Sequence, residues 1–393
     1  MNTFTYFSPT KIVFGCGCVG QTGQIAREYG KRALLVCSSD SAALVGLSKV
    51  VIANLEASGI MVGVYDKVTP NPTTDLVTEG AQYARRLNAE MVIGLGGGSS
   101  LDAAKAIAVE CTHNGTAWEY LHYTEGPSAK TLPIIAIGTT AGTGSQVTPC
   151  AVITNPRFKD KSAIWHPNIF PKVAIVDPEI TATMPCSFTA QTGFDAFCHN
   201  FEAYLSVNAN PIVEYTALDA IKRIVTYLPR ALEDGSDMVA REQMALADTQ
   251  GGLTNASAGV TLPHGLGMQV GGHCPHVSHG QALAVIYPEF TKFTYSSAIE
   301  KFAAVGRIFD STLEKVPQEV AAETCCGKID EFLQKIGLWI GFKDLNVTMD
   351  DIRVIADCGQ VLGDYKNNPR VASIDEMYQL LTLCYERKEP KMG

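Results

Sequence analysis

At 393 residues the chain is longer than one hydrophobic core usually serves, so two domains are expected. A hydrophobic fraction of 46% excludes disorder and allows a large buried core. The formal net charge of −9 argues against nucleic acid and anionic membranes as partners, yet leaves room for a nucleotide in a local pocket.

The opening segment, MNTFTYFSPTKIVFG, has no basic stretch followed by an apolar one, so no secretory signal is read there. No uninterrupted apolar run approaches the ~18 residues of a membrane span. The 12 cysteines form no Cys-x-x-Cys. Cys16/Cys18 and Cys325/Cys326 are the closest pairs, and neither has zinc-ribbon spacing. Cys37, Cys111, Cys150 and Cys384 lie in apolar stretches and read as small core residues of a cytoplasmic protein.

In chain order, Arg32–Cys37 (RALLVC) reads as a strand and Ala42–Ser58 as a helix. Ile60–Tyr65 is a second strand, closed by the turn TPNPTT at Thr69–Thr74. A helix near Asp75–Leu87 leads to the strand Met91–Leu95, a glycine run and the helix Leu101–Glu110. Leu132–Ile137 and Val173–Asp177 are further apolar strands. Strands of this kind alternating with helices predict an α/β fold whose parallel sheet is covered on both faces. Past Cys186 the texture changes. Thr189–Leu205, Ile212–Leu228, Met238–Ala256, Ser297–Phe309 and Gln318–Ile336 carry helical periodicity, and strand signals nearly vanish. Pro185 marks the break, giving an α/β domain over 1–185 and an all-helical domain over 186–393. There is no internal repeat and no low-complexity tract.

Two glycine-rich turns, GLGGGSS at 94–100 and GTTAGTGS at 138–145, each follow a strand and are expected to open a helix. Glycine lets backbone approach a phosphate, and a helix N-terminus offers free N–H groups. Neither turn is the spaced G-x-G-x-x-G fingerprint or a P-loop. One such turn can serve merely to reverse the chain; two favour a nucleotide.

Asp195 and His199 in GFDAFCH are spaced i, i+4 and so share one helix face. His264 in LPHGLGM and His279 in VSHGQALA complete a set of three imidazoles and one carboxylate. Such a set suits Fe(II) or Zn(II). An Asp-x-x-x-His pair alone is more often a surface or capping pair, and a lone buried His a satisfied core residue. The nucleotide turns upstream favour the metal reading. His273, His276 and His279 are spaced by three, so spacing does not choose among them.

GGGSSLDAAKAIA, TTAGTGSQVT, DAFCHNFEAYLS and LPHGLGM…HGQALAVIYP, in this order, resemble the iron-containing (group III) alcohol dehydrogenases. The resemblance covers nearly the whole chain, from YFSPTKIVFG to the NPR at Asn368–Arg370. It implies a Rossmann-like domain, a helical domain of dehydroquinate synthase-like architecture, and a cleft between them for nicotinamide and metal. Asp195, His199, His264 and His279 match the family's ligands for Fe(II), with Zn(II) as the alternative metal. The His-Gly-x-Ala pattern selects His279 over His273 and His276, while His113, His122 and His166 match no motif. Gly97, Gly98 and Ser99 match the pyrophosphate turn, and Asp102 a residue near the nicotinamide. Thr139, Thr140 and Thr148 match cofactor contacts, and Asn71 and Lys161 positions around the adenosine end. The implied chemistry is hydride transfer between NAD or NADP and an alcohol or aldehyde, with the cation favouring the alkoxide.

Departures from the family shape three further expectations. Ser38 replaces the aspartate that NAD-preferring relatives carry after the second strand, and no Lys or Arg lies between Ser38 and Gly46. Either nicotinamide should therefore be usable. Asn255 and Met268 stand where relatives often have a large apolar residue and a His; with Cys150 they suggest a short substrate bearing a second polar or anionic group. Asn255 could instead cap a helix. Competing readings are a dehydroquinate-synthase-like lyase, which needs more Lys and Arg than 187–290 offers, and a hydroxyacid–oxoacid transhydrogenase. A non-catalytic nucleotide-binding scaffold would have no physical reason to keep four ligands. The expected partners are a small alcohol or aldehyde and further copies of the chain, as a cytoplasmic dimer or larger homo-oligomer.

Overall fold

The computed structural model describes residues 3–124 and 126–387; the extreme ends of the two expected domains, 1–2 and 388–393, lie outside the described residues. Eight strands form: β1 (Lys11–Phe14), β2 (Arg32–Val36), β3 (Met61–Tyr65), β4 (Met91–Gly96), β5 (Ile134–Gly138), β6 (Cys150–Asn155), β7 (Asp160–Trp165) and β8 (Val173–Val176). Six make one sheet in the order β1-β8-β5-β4-β2-β3, with every pairing parallel. β4 is buried along its whole length, as its unbroken apolar run requires when helices cover both faces. β6 and β7 stand apart as an antiparallel hairpin that pairs Cys150 with Trp165.

Beyond β8 the described chain is helical. The helices that carry the site are Cys186–Leu205, Met238–Ala258, Leu262–His273 and His279–Thr294. They share a core in which Phe194 meets Tyr287 edge-on at 5.2 Å between ring centroids, an arrangement aromatic quadrupoles favour. No helix of the described residues is long and apolar enough to cross a membrane, and all twelve cysteines are unpaired.

Most periodic segments form within a residue or two of their expected ends. The exceptions have local causes. The helix expected from Leu101 starts at Gly98, inside the glycine turn, where a helix N-terminus can face a phosphate. The second glycine turn is a correction: it opens only the 3-10 turn Ser145–Val147, not an α-helix. Thr148 then turns extended and leads into β6. The Pro211–Glu233 helix runs past the expected end and carries Pro229 inside it. Leu262–His273 and His279–Thr294 were not expected as helices, because LPHGLGMQVGGH is glycine-rich and buried on every side, leaving no periodicity to read.

Candidate active site

Four side chains from three helices converge. Asp195 and His199 lie one turn apart on Cys186–Leu205. His264 sits in the first turn of Leu262–His273, beside Pro263, a residue suited to a first helical turn. His279 opens its helix, which Ser278 and Gln281 close with a capping box. Asp195 Oδ1 is the centre of the group, 3.7 Å from His199 Nδ1, 3.5 Å from His264 Nε2 and 3.8 Å from His279 Nε2. Donor atoms of Asp195, His199 and His264 all lie within 4.8 Å of one another. His279 stands at the rim, its side chain 26% exposed.

Asp195 Oδ1 and His264 Nε2 are buried without a hydrogen-bond partner. A carboxylate oxygen and an imidazole nitrogen left so are costly unless something binds them. A divalent cation fits this donor set. The outer contacts point the same way. His264 Nδ1 donates to Glu202 Oε1 at 2.7 Å, and His199 Nδ1 donates to the Gly142 carbonyl at 3.1 Å. Each Nδ1 is thereby engaged as a donor, which leaves Nε2 of each ring as the atom that could meet a cation. Burial works to raise Asp195, but the imidazoles outweigh it and hold its carboxyl at about 2. Burial pulls His279 down to about 3 against the attraction of Asp195. It also opposes a charged His264, yet Glu202 and Asp195 lift that imidazole to about 10. A proton therefore competes with a metal at His264.

The sheet side is a closed network. Asp102 Oδ1 accepts from Ser145 Oγ at 2.6 Å and Oδ2 from the Val152 N–H at 3.1 Å. Lys105, fully buried, donates to Ser145 Oγ (2.8 Å), Thr148 Oγ1 (3.3 Å) and the Cys150 carbonyl (2.6 Å). The two glycine turns touch: a Cβ on Gly98 would lie 2.7 Å from Thr143 Cγ2. Gly144 has φ +59°, and a Cβ there would meet Gly252 Cα at 2.4 Å, so only glycine lets this turn reach the Met238–Ala258 helix. Asp248 of that helix accepts from the Gly144 N–H and from Gln146 Nε2, both at 2.7 Å.

Between these walls lies a cleft of about 560 Å³. Gly98, Ser99, Asp102 and Thr148 line it, as do Asp195, His199, His264, His279, Cys150, Asn255 and Met268. Ser38, Gly97, Thr139 and Thr140 do not. Ser38 Oγ accepts the Asp40 N–H at 3.3 Å beyond β2. Gly97 backs onto Thr140, and the Thr139 N–H donates to the Gly96 carbonyl at 3.0 Å. Lys161 and Asn71, expected at the adenosine end, line the cleft as a 2.8 Å pair. Burial lowers the Lys161 ammonium to about 8, against the pull of Asp102 and Asp195. Asn255 does not cap a helix. It lies within Met238–Ala258, and its buried Oδ1 has no partner.

His273 and His276 turn to the Gln269 and Leu345 carbonyls, at 3.0 and 2.9 Å. Sequence reasoning missed Lys105, Glu202, Asp248, Tyr123, Trp165 and Asp364. Glu202 had a signal, because positions 195, 199 and 202 share one helix face. Asp364, which burial pushes up to about 6 against the pull of His264, had none.

A family model described as iron-containing alcohol dehydrogenase matches residues 9–178, and one for the C-terminal part of the Fe-containing alcohol dehydrogenase family matches 189–385. The chain is 32% identical over 378 residues to the NAD-dependent methanol dehydrogenase of Bacillus methanolicus, covering 96% of this chain and 98% of that one. It is 36% identical over 324 residues to the choline dehydrogenase of Bacillus subtilis, covering 81% and 80%. An archaeal halo-thermophilic alcohol dehydrogenase from a Red Sea brine pool has a similar structure, with a TM-score of 0.93, 33% identity, and coverage of 97% and 99%.

Proposed function

The chain belongs to the iron-containing alcohol dehydrogenase family and is an oxidoreductase of CH–OH groups; from that premise we propose that it interconverts a small, polar alcohol and its aldehyde, using NAD(H) or NADP(H). In the oxidising direction the carbinol carbon loses a hydride to the nicotinamide and the hydroxyl loses a proton to water. The observation that carries the reading is the unpartnered pair Asp195 Oδ1 and His264 Nε2 at the floor of the cleft.

Asp195, His199, His264 and His279 would hold Fe(II), with Zn(II) the alternative. When bound, such a cation supplies Lewis-acid polarisation of the substrate oxygen. Everything else falls to the protein. Glu202 fixes the His264 tautomer. Gly97, Gly98 and Ser99 offer the helix N-terminus to the pyrophosphate. Asp102, Thr139, Thr140 and Thr148 position the nucleotide, and Lys161, steadied by Asn71, adds positive charge beside the nicotinamide. Asn255 Oδ1 offers a hydrogen-bond acceptor to a polar substrate group. Met268 cannot relay a proton, which leaves water or the cofactor ribose to do so.

Both nucleotides are proposed because Ser38 presents no carboxylate to a 2′-phosphate. Lys67, bridged to Ser38, is held by Glu79 at 2.5 Å and so gives NADP only modest help. We place the domain division at 185/186 and propose a cytoplasmic homo-oligomer, dimer or larger; the unpaired cysteines suit a reducing compartment. The test is anaerobic purification, metal analysis, and NADH and NADPH oxidation over small aldehydes. Asp195→Asn and His264→Ala should each lower turnover ~1,000-fold or more while circular dichroism stays unchanged, an effect of ~4 kcal/mol. Near-normal rates in chelated protein or in both variants would refute the metal-dependent reading.

A further inference from the structure

We infer that the cleft selects an alcohol or aldehyde bearing an ammonium head group, held by the Asp364 carboxylate beside the rings of Tyr123 and Trp165. This rests on the dehydrogenase reading above and narrows its substrate class.

Three carboxylates and one ammonium line the cleft: Asp102, Asp195, Asp364 and Lys161. Three of the four are engaged. Asp102 accepts from Ser145 and Val152, Asp195 faces imidazoles, and Lys161 donates to Asn71. Asp364 is the one of the four whose side chain has neither a hydrogen bond nor a salt bridge to another residue among the described residues. It lies on the 3-10 turn Gly363–Asn367, packed on the helix that carries His264. A Cβ added to Gly265 would be 3.6 Å from Asp364 Cβ. That carboxylate therefore stands within one small molecule's length of the proposed metal.

Aromatic rings stand in the same cleft. Tyr123 is 42% exposed and meets Trp165 edge-on at 6.1 Å between centroids. Both line the cleft with Asp364. The backbone goes to some trouble to put Tyr123 there. His122 and Tyr123 adopt φ +61° and +57° in succession, a conformation costly for non-glycine residues. Asp160 and Ser162 of β7 hold the turn, at 2.6 Å from His122 Nε2 and 3.1 Å from its backbone N–H.

A carboxylate with adjacent aromatic rings matches a cation of low charge density, whose methyl or methylene groups favour ring faces. An alkyl tail would strip water from Asp364 and return nothing for it. An anionic group would meet like charge. The chain's formal charge of −9 also favours capture of a cation.

The test compares choline with its uncharged isostere 3,3-dimethylbutan-1-ol on the metal-loaded enzyme. Choline should have the higher kcat/KM by about tenfold or more, and the anionic 2-hydroxyethanesulfonate should be worse than both. Asp364→Asn should bring the choline-to-isostere ratio to about one, chiefly through KM, and Asp364→Glu should restore part of it. Calorimetry on metal-free protein should detect tetramethylammonium binding that Asp364→Asn abolishes. Where that variant does not fold, competitive inhibition of neutral-alcohol oxidation by tetramethylammonium in the unmodified enzyme decides the matter. Turnover of the neutral isostere at an equal or better rate, or no inhibition, overturns the cationic pocket and leaves the dehydrogenase standing. No turnover of any alcohol or aldehyde overturns both.

Discussion

The two walls of the cleft treat buried polar atoms in opposite ways. On the sheet side Asp102, Ser145, Lys105 and Thr148 satisfy one another, and the lysine caps the Cys150 carbonyl as well. On the helical side Asp195 Oδ1, His264 Nε2 and Asn255 Oδ1 are buried with nothing to bind. Folding stability alone would favour closing both walls. The closed network holds backbone in place; the orphaned atoms form a donor set that a cation fits. On the helical wall the incomplete burial falls on residues that line the cleft.

The contrast can be broken by substituting one residue on each wall. Lys105→Met leaves Asp102 buried and lacking its cation, so stability should fall by ~3–5 kcal/mol in chemical denaturation, with the metal content of the surviving folded protein unchanged. Metal loss from that variant would mean the walls are not independent. Glu202→Gln acts on the other wall. It keeps the shape but weakens the hold on His264 Nδ1, so metal affinity should drop about 10–100-fold in competition with a chromogenic chelator. An unchanged affinity would make Glu202 a packing residue.

The smallest effect sharpens the boundary between the walls, where Asp248 reaches across to the Gly144 turn. Burial raises its carboxyl to about 7 from 3.8, against the hydrogen bonds from Gln146 and Gly144. Between those values the folded protein binds the proton and the unfolded chain does not. The group's stabilisation is therefore full below the unfolded value and is lost as pH rises through about 7. Asp248→Asn has no such proton to lose, so its stability should gain on the parent's from about pH 4 to about pH 7 and level off above. Denaturation midpoints at several pH values would show a parallel pair of curves if Asp248 does not titrate.

What could be read from sequence divides by the same logic. Apolar runs such as Met91–Leu95 reveal buried strands because burial on both faces demands them. Asp195, His199, His264 and His279 could be singled out because the motifs around them are distinctive, and the fold brings the four side chains together. The second glycine turn misled, since Gly138–Ser145 has the composition of a helix-opening loop but must first approach Gly252. Lys105 hid in a helical run that looks merely amphipathic. Tyr123 and Asp364 left no trace at all. Their placement depends on a left-handed turn and on a contact across some hundred residues of chain, neither of which has a local sequence pattern.

The Gly142–Gly144 segment joins the two walls: its Gly142 carbonyl accepts from His199, its Gly144 N–H donates to Asp248, and Thr143 lines the cleft. Any ordering of that segment by a nucleotide is then also an ordering of a histidine meant for the cation. Thermodynamic reciprocity makes the converse equal in size. A nucleotide that tightened the hold on a metal by some factor would itself be held more tightly, by that same factor, once the metal was in place. Through that one segment, occupancy of the nucleotide site and occupancy of the metal site would read each other.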